Sequence, residues 1–301
     1  MSTTKTTLIT GGASQTGLAL ARLLSATPGH DVVFASRSGR GIPDGFSSVK
    51  FDWHDPSTFE TPFSNNSSPI HSVYILPPSG SDPDRIVIPF IDLCVQKGVK
   101  RFIFLNGSTS DITRPLEELI YKGFAKVHIY LDGLKKGNPN VEFFVVRPTW
   151  FIENFDRFFG TDIRSKDEFV TSIPTGRIPF VGVDDVAQVA YEAIIDEKNN
   201  VTEKIVGGPE LLTYDEAAKV LSEALGRPIT HKVVSHDEQG RLYARLGLGP
   251  EYVQSSRHAE AGGEEKWWRE RDVNNKVQVH IGKVTVKEWA EKNSSLFNRS
   301  N

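Results

Sequence analysis

Between Thr6 and Val146 the apolar positions fall into short runs rich in β-branched and aromatic residues, separated by stretches whose apolar residues repeat at helical spacing. Thr6–Thr10, Asp31–Ser36, Ser48–Phe51, Ser72–Leu76, Arg101–Asn106 and Glu142–Val146 read as strands. Gly17–Ser25, Ile86–Gln96 and Leu116–Leu134 read as helices. A chain that alternates in this way, with turn residues at the strand ends, builds right-handed crossovers and hence a parallel sheet covered by helices on both faces.

After Pro148 the alternation stops. Val183–Glu197 reads as a helix capped by Asp184, Thr213–Leu225 as a helix halted by Gly226-Arg227-Pro228, Ile229–Val234 as a short strand and Thr285–Lys292 as a final helix. Glu238–Trp268, rich in Gly, Arg and Glu, shows no strand. The expected fold class is α/β: a Rossmann-type doubly wound parallel sheet over residues 1–150, with a smaller C-terminal α/β cap for a substrate over 151–301, segments of which return to the sheet. No internal repeat is visible.

Composition narrows the class. The 301 residues are 38% apolar and include 5 Trp, 7 Tyr and 18 Phe, enough to fill a core. A formal charge of −3, from 35 Lys+Arg against 38 Asp+Glu, argues against a nucleic-acid partner held by a broad basic face. The single Cys94 excludes a disulfide framework and a cysteine-based zinc site. The N-terminal stretch has no apolar signal core, and no run reaches the roughly 20 apolar residues that span a bilayer, so a cytoplasmic protein with no membrane partner is expected.

The sharpest motif is Leu8-Ile9-Thr10-Gly11-Gly12-Ala13-Ser14-Gln15-Thr16-Gly17, between the first strand and the first helix. Glycines there permit a tight turn that brings backbone N–H groups to a pyrophosphate at the positive end of a helix, which makes Gly11, Gly12, Ser14, Gln15, Thr16 and Gly17 cofactor-binding candidates. Ser14 stands where many such turns have a middle glycine. At the end of the second strand, Ser36-Arg37-Ser38 replaces the acid that would hold a free ribose 2′-hydroxyl, and Arg37, with Arg40 behind it, offers a charged fork to a 2′-phosphate. NADP(H) is therefore expected in preference to NAD(H). The other reading of Arg37 is an ordinary exposed arginine after a strand. Asp52 and Trp53 are placed to bond and cover an adenine, and Leu76-Pro77-Pro78 to form a rigid wall along the cofactor.

Thr10-Gly11-Gly12, Ser36-Arg37-Ser38, Phe51-Asp52-Trp53, the run from Arg147-Pro148-Thr149 through Phe155 and the run from Gly207 to Glu216 together resemble the NmrA-like atypical short-chain dehydrogenases. More narrowly they resemble the fungal ergot alkaloid reductases known as festuclavine or agroclavine dehydrogenases, through Gly226-Arg227-Pro228-Ile229-Thr230-His231. The resemblance implies an NADPH-dependent reductase acting on an iminium or imine carbon of a polycyclic indole alkaloid in fungal secondary metabolism, a monomer or homodimer whose partner is that small molecule. It implies Lys126 as a ribose or nicotinamide anchor and places Pro148 along the cofactor.

Ordinary short-chain dehydrogenases pair Tyr-x-x-x-Lys so that the tyrosine exchanges a proton with a carbonyl oxygen. Here Tyr121 lies five positions before Lys126 and Lys122 lies four before it, so the pair is absent. Hydride addition to an iminium yields a neutral amine and needs no acid at the carbon. Asn106 and Ser108, at the end of the strand Arg101–Asn106, are candidates for holding the carboxamide or the substrate, and His128 and Tyr130 are the nearest proton-handling groups. Trp150, Phe151, Glu153, Asn154 and Phe169 are candidates for an apolar wall with a carboxylate that favours a cation, or else for a hydrophobic hinge. Asp184-Asp185 reads as helix capping and not as a metal pair. Two other functions remain open: a reductase that also steers a ring closure such as a cycloaddition, and a redox sensor that binds NADP(H) without chemistry.

Overall fold

The computed structural model describes residues 4–64, 68–78, 82–196, 198, 201–270 and 278–299. It divides into two compact units, Met1–Arg147 with Val186–Lys204, and Pro148–Asp185 with Ile205–Asn301. The segment that returns to the first unit thus lies between two pieces of the second. Among the described residues no helix is long and apolar enough to cross a membrane.

The first unit holds β1 (Lys5–Ile9), α1 (Gln15–Ser25), β2 (His30–Ser36), β3 (Ser47–Lys50), a short α2 (Thr61–Ser64), β4 (Ile70–Ile75), α3 (Asp84–Gln96), β5 (Arg101–Leu105), α4 (Lys122–Gly137) and β6 (Glu142–Pro148, whose last residue opens the second unit). The remaining elements are α5 (Asn154–Arg157), α6 (Gly160–Lys166), β7 (Glu168–Thr171), α7 (Val183–Ile195), β8 (Glu203–Gly207), α8 (Tyr214–Leu225), β9 (Thr230–Val233), α9 (His236–Arg245), α10 (Glu251–Glu260), α11 (Gly263–Arg269), β10 (Gln278–Ile281) and α12 (Val286–Lys292). The strand order is β10-β8-β6-β5-β4-β1-β2-β3, with parallel pairing from β3 through β6. That central run is the Rossmann order, and the direction of winding reverses between β1 and β4.

The strands of the first unit alternate little because both faces are buried: β5 is inaccessible along its whole length, and Leu8, Val73, Phe102 and Val145 share one core with Val87 of α3 and Val127 of α4. Helix ends are set locally. Ser14 caps α1, and Thr213 with Glu216 and Thr285 with Glu288 form capping boxes for α8 and α12. Gly226, at φ +65°, closes α8 in the left-handed region.

The structure corrects several expectations. Leu116–Leu134 is not one helix: a 3-10 turn at Leu116–Glu118 is followed by extended Leu119, whose side chain is buried, and α4 starts only at Lys122. Asp184 does not cap α7, because the helix already begins at Val183; instead the Asp185 carboxylate receives the Lys283 and Val284 amides at 2.9 and 3.1 Å. Glu238–Trp268 holds no strand, as expected, and folds into α9, α10 and α11, whose helical signal is interrupted in the sequence by Gly240, Gly247, Gly249, Gly262 and Gly263. Phe169, expected to touch substrate, is inaccessible in the core of the second unit among Phe155, Phe159 and Tyr214, with its ring stacked on His231. The strand β7 turns it inward against α8.

Truncating Phe169→Ala is therefore expected to cost about 3–5 kcal/mol of stability, measured by chemical denaturation. An unchanged denaturation midpoint with an altered substrate KM would return Phe169 to the binding surface.

Candidate functional site

The carboxyl ends of β1, β2, β4 and β5 carry most of the candidate residues. The Thr10 hydroxyl joins the two strands that flank the reversal, donating to the Tyr74 carbonyl at 3.0 Å and accepting from the Leu76 amide at 2.9 Å. Gly11 and Gly12 follow with φ +86° and +56°, a region that side chains disfavour, and the Gly12 amide bonds to the Ala35 carbonyl at 3.1 Å. A β-carbon on Gly11 would come within 2.5 Å of the Leu76 side chain, so the turn is closed on that side. Ser14 accepts from the Gly17 amide at 3.2 Å as the cap of α1, leaving its hydroxyl hydrogen free to donate outward. The amides of Gln15 and Thr16, at the first helical positions, have no partner within the helix.

Beside this turn, the end of β2 is followed by exposed cations. The Ser36 hydroxyl accepts from the Gly39 amide and lies 3.2 Å from where a Gly12 β-carbon would stand. Arg37, Ser38 and Arg40 are exposed, and among the described residues neither guanidinium is paired with a carboxylate. Lys50, which the sequence reading did not single out, lies opposite Ser36 in the β2–β3 register and donates to the Arg37 carbonyl at 2.9 Å. The signal for it was its place at the end of the strand before Asp52.

Trp53 does not offer a face to an adenine. Its indole packs edge-on against Phe51, Phe59 and Phe90 in the core and donates to the Leu76 carbonyl at 3.1 Å, bracing the strand end behind Gly11. The Asp52 carboxylate, partly exposed, accepts from the His54 amide in a local turn. Pro77 and Pro148 are buried, and Pro78 is partly so.

At the end of β5, Asn106 donates to the Ser110 hydroxyl at 3.0 Å and accepts from the Gly107 amide. The Ser108 carbonyl accepts from Arg147 at 2.7 Å, and the same guanidinium, 2% exposed, pairs with Glu203 at 2.6 Å. Arg147 stood in a motif but was not chosen as a functional residue, because nothing in a sequence shows that an arginine will be buried. His128 is buried against Phe143, and burial, aided by the Arg147 charge, pushes its imidazole down to about 4. It is neutral near pH 7. Lys126 pairs with Asp84 at 3.2 Å, and the second Asp84 oxygen is buried with no partner among the described residues. Tyr130 is elsewhere: its hydroxyl donates to Asp92, tying α4 to α3, and burial, followed by this carboxylate, pushes the phenol up to about 12. Tyr130, expected as a proton-handling group and also a candidate for the substrate wall, is thus engaged in tying two helices together.

In the second unit, Trp150 and Phe158 meet two tyrosines from the Gly-, Arg- and Glu-rich stretch Glu238–Trp268. Tyr243 of α9 and Tyr252 of α10 lie 6.5 and 6.4 Å from the Trp150 ring, and 5.8 Å from each other. Tyr243 is held from below by Gln239, which donates to its hydroxyl at 2.8 Å and whose own oxygen takes the Ser172 amide. Phe151 bridges to Val181, while Asn154 and Phe155 are buried at the start of α5. One Glu153 oxygen accepts the Val183 amide at 3.0 Å, and the other is buried with no partner among the described residues. Burial raises this carboxyl to about 7, and the charges of Asp184 and Asp185 push the same way against the favourable Val183 amide.

The sheet order and the glycine turn define an α/β protein of the Rossmann type. Residues 70–258 match the NmrA-like family, and the chain belongs to that family. It is 33% identical over 260 residues to festuclavine synthase I of Penicillium roqueforti, covering 83% of this chain and 85% of that protein. Against agroclavine dehydrogenase of Claviceps purpurea the identity is 34% over 289 residues, 92% of each. Among solved structures, an Escherichia coli NADPH-dependent quinone oxidoreductase complexed with NADPH superposes with a TM-score of 0.66 at 18% identity, over 97% of this chain and 100% of that one. At that identity the likeness is one of fold.

A carboxyl whose folded value is raised binds its proton more tightly when folded, so its contribution to stability is full below about 4.5 and is lost as pH rises through about 7. Glu153→Gln should therefore gain melting temperature over the parent more at pH 8 than at pH 5. A difference independent of pH would show that the carboxyl is not perturbed.

Proposed function

We propose that this protein is an NADPH-dependent reductase that delivers hydride to an iminium or imine carbon of a polycyclic indole alkaloid. The observation that carries the reading is the company of Lys126. No tyrosine stands one turn before it, Tyr121 packs on Phe124 just outside α4, and the nearest imidazole, His128, is neutral and buried. A ketone would need an acid there, whereas an iminium needs none. The names of the relatives, festuclavine synthase and agroclavine dehydrogenase, support an alkaloid as the acceptor.

The residues present fit the cofactor. Gly11 and Gly12 give the turn the positive φ that a pyrophosphate-binding loop uses, and three exposed cations, Arg37, Arg40 and Lys50, follow it around the end of β2, with no carboxylate partner among the described residues. When bound, the reduced nicotinamide supplies the hydride. The protein's own share is to bind and orient. The first amides of α1 and its dipole meet the diphosphate, and the cations meet the 2′-phosphate. The Lys126 ammonium is kept in place by Asp84. The neutral His128 adds no charge that would repel a cationic substrate. In the second unit, Trp150, Phe158 and Tyr252 supply aromatic faces suited to a flat polycyclic amine, and a bound cation would draw Glu153 toward its ionised form.

NADPH deuterated at nicotinamide C4 should pass its label to the reduced alkaloid, read by mass spectrometry. No transfer with any iminium tested would leave a binding protein without chemistry. Arg37→Ala should raise the KM for NADPH about tenfold or more and leave that for NADH unchanged, since a charge-assisted bond contributes about 1.5–3 kcal/mol.

A further inference from the structure

We infer that Asp84, which neither the motifs nor the family resemblance brings forward, belongs to the cofactor site: its carboxylate and the Lys126 ammonium form an acceptor–donor pair for the vicinal diol of the nicotinamide-side ribose. The inference rests on the NADP(H) reading above. Asp84 is the first residue of α3, which follows the Pro77-Pro78 turn at the carboxyl end of β4, and it is 8% exposed. One of its oxygens receives the Lys126 ammonium at 3.2 Å, while the other is buried with no partner among the described residues. Leaving a buried acceptor unsatisfied is costly, so a carboxylate kept in that state points to a donor that arrives with a ligand.

The chemistry of the pair selects the group. An ammonium has three donors and one is spent on Asp84, so Lys126, partly exposed, keeps two for a ligand oxygen. The free carboxylate oxygen can only accept. A phosphate, which has oxygens and negative charge, would be repelled by it. Two neighbouring hydroxyls satisfy both partners, one donating to Asp84 and the other accepting from Lys126.

The strand order places this pair on the correct half of a dinucleotide. The cations at Arg37, Arg40 and Lys50 lie on the β2–β3 side of the reversal, and the diphosphate turn lies after β1. A nucleotide laid across the reversal has its 2′-phosphate half over β2 and β3 and its other half over β4 and β5. Asp84 follows β4, and Lys126 is on the helix after β5. The salt bridge also fixes a lysine that would otherwise sample many rotamers, so less order has to be gained on binding.

The test measures binding, by calorimetry, of two ligands. NADPH carries both riboses, and 2′,5′-ADP carries only the adenosine half with its phosphates. Asp84→Asn and Lys126→Met should each weaken NADPH about tenfold and change 2′,5′-ADP less than twofold, and the double variant should lose little more than either single one. Asparagine preserves the shape at Asp84, and the partly exposed Lys126 gives a second variant with small risk to folding. Loss of both ligands in parallel, or NADPH binding indifferent to Asp84→Asn while 2′,5′-ADP binds normally, would overturn the diol clamp alone. A parent protein that bound neither ligand would overturn the cofactor reading and the clamp with it.

Discussion

A guanidinium that is almost wholly out of water must be paired, and much of the first unit is arranged to do that for Arg147. Glu203 neutralises it at 2.6 Å, and the Ser108 carbonyl takes a second bond at 2.7 Å. Removing one member of such a pair costs about 3–5 kcal/mol, so the contact commits two otherwise independent parts of the chain. It brings the start of β8 beside the end of β6, and it holds the loop after β5 where Asn106 and Ser108 stand. The same charge adds to the burial that keeps His128 neutral. The returning segment Val186–Lys204 is further fixed by Arg101, which donates to the Ala193 carbonyl at 2.6 Å, and by the hydroxyl contact between Thr27 and Tyr191.

Around this frame the polar groups divide by task. Some are consumed by structure: Thr10 in a stitch between strands, the Trp53 indole on a carbonyl. Among the described residues others are left with bonding capacity to spare, as are Arg37, Arg40 and one oxygen each of Asp84 and Glu153. The proposed binding roles draw on the second group, because a group already saturated by its neighbours has little to give a ligand. In the second unit the same division separates Phe169, spent on the core, from Trp150 and Tyr252, which keep partly accessible rings.

The parallel sheet was legible because buried strands with intervening helices write a strong periodic signal, and the glycine turn because positive φ leaves few residue choices. The NmrA-like resemblance rested on the same kind of short, locally constrained segments. Less was legible in the region from 235 to 270, where glycines interrupt the helical pattern and Tyr243 and Tyr252 gain a role only by meeting Trp150. The misplacement of Tyr130 has a comparable cause: a residue on α4 points toward either α3 or the sheet edge, and its rotation about the helix is set by packing with Asp92.

The sequence by itself determined the strand–helix alternation, the glycine turn, the cations after the second strand and the missing tyrosine before Lys126, since each is a matter of residue type at a short spacing. The tertiary structure decided which charges are buried or paired. Arg147 meets Glu203 across 56 positions of chain and Asp84 meets Lys126 across 42. No local rule anticipates such contacts, because they form only when separate strands and helices pack and the cost of a buried charge selects its partner.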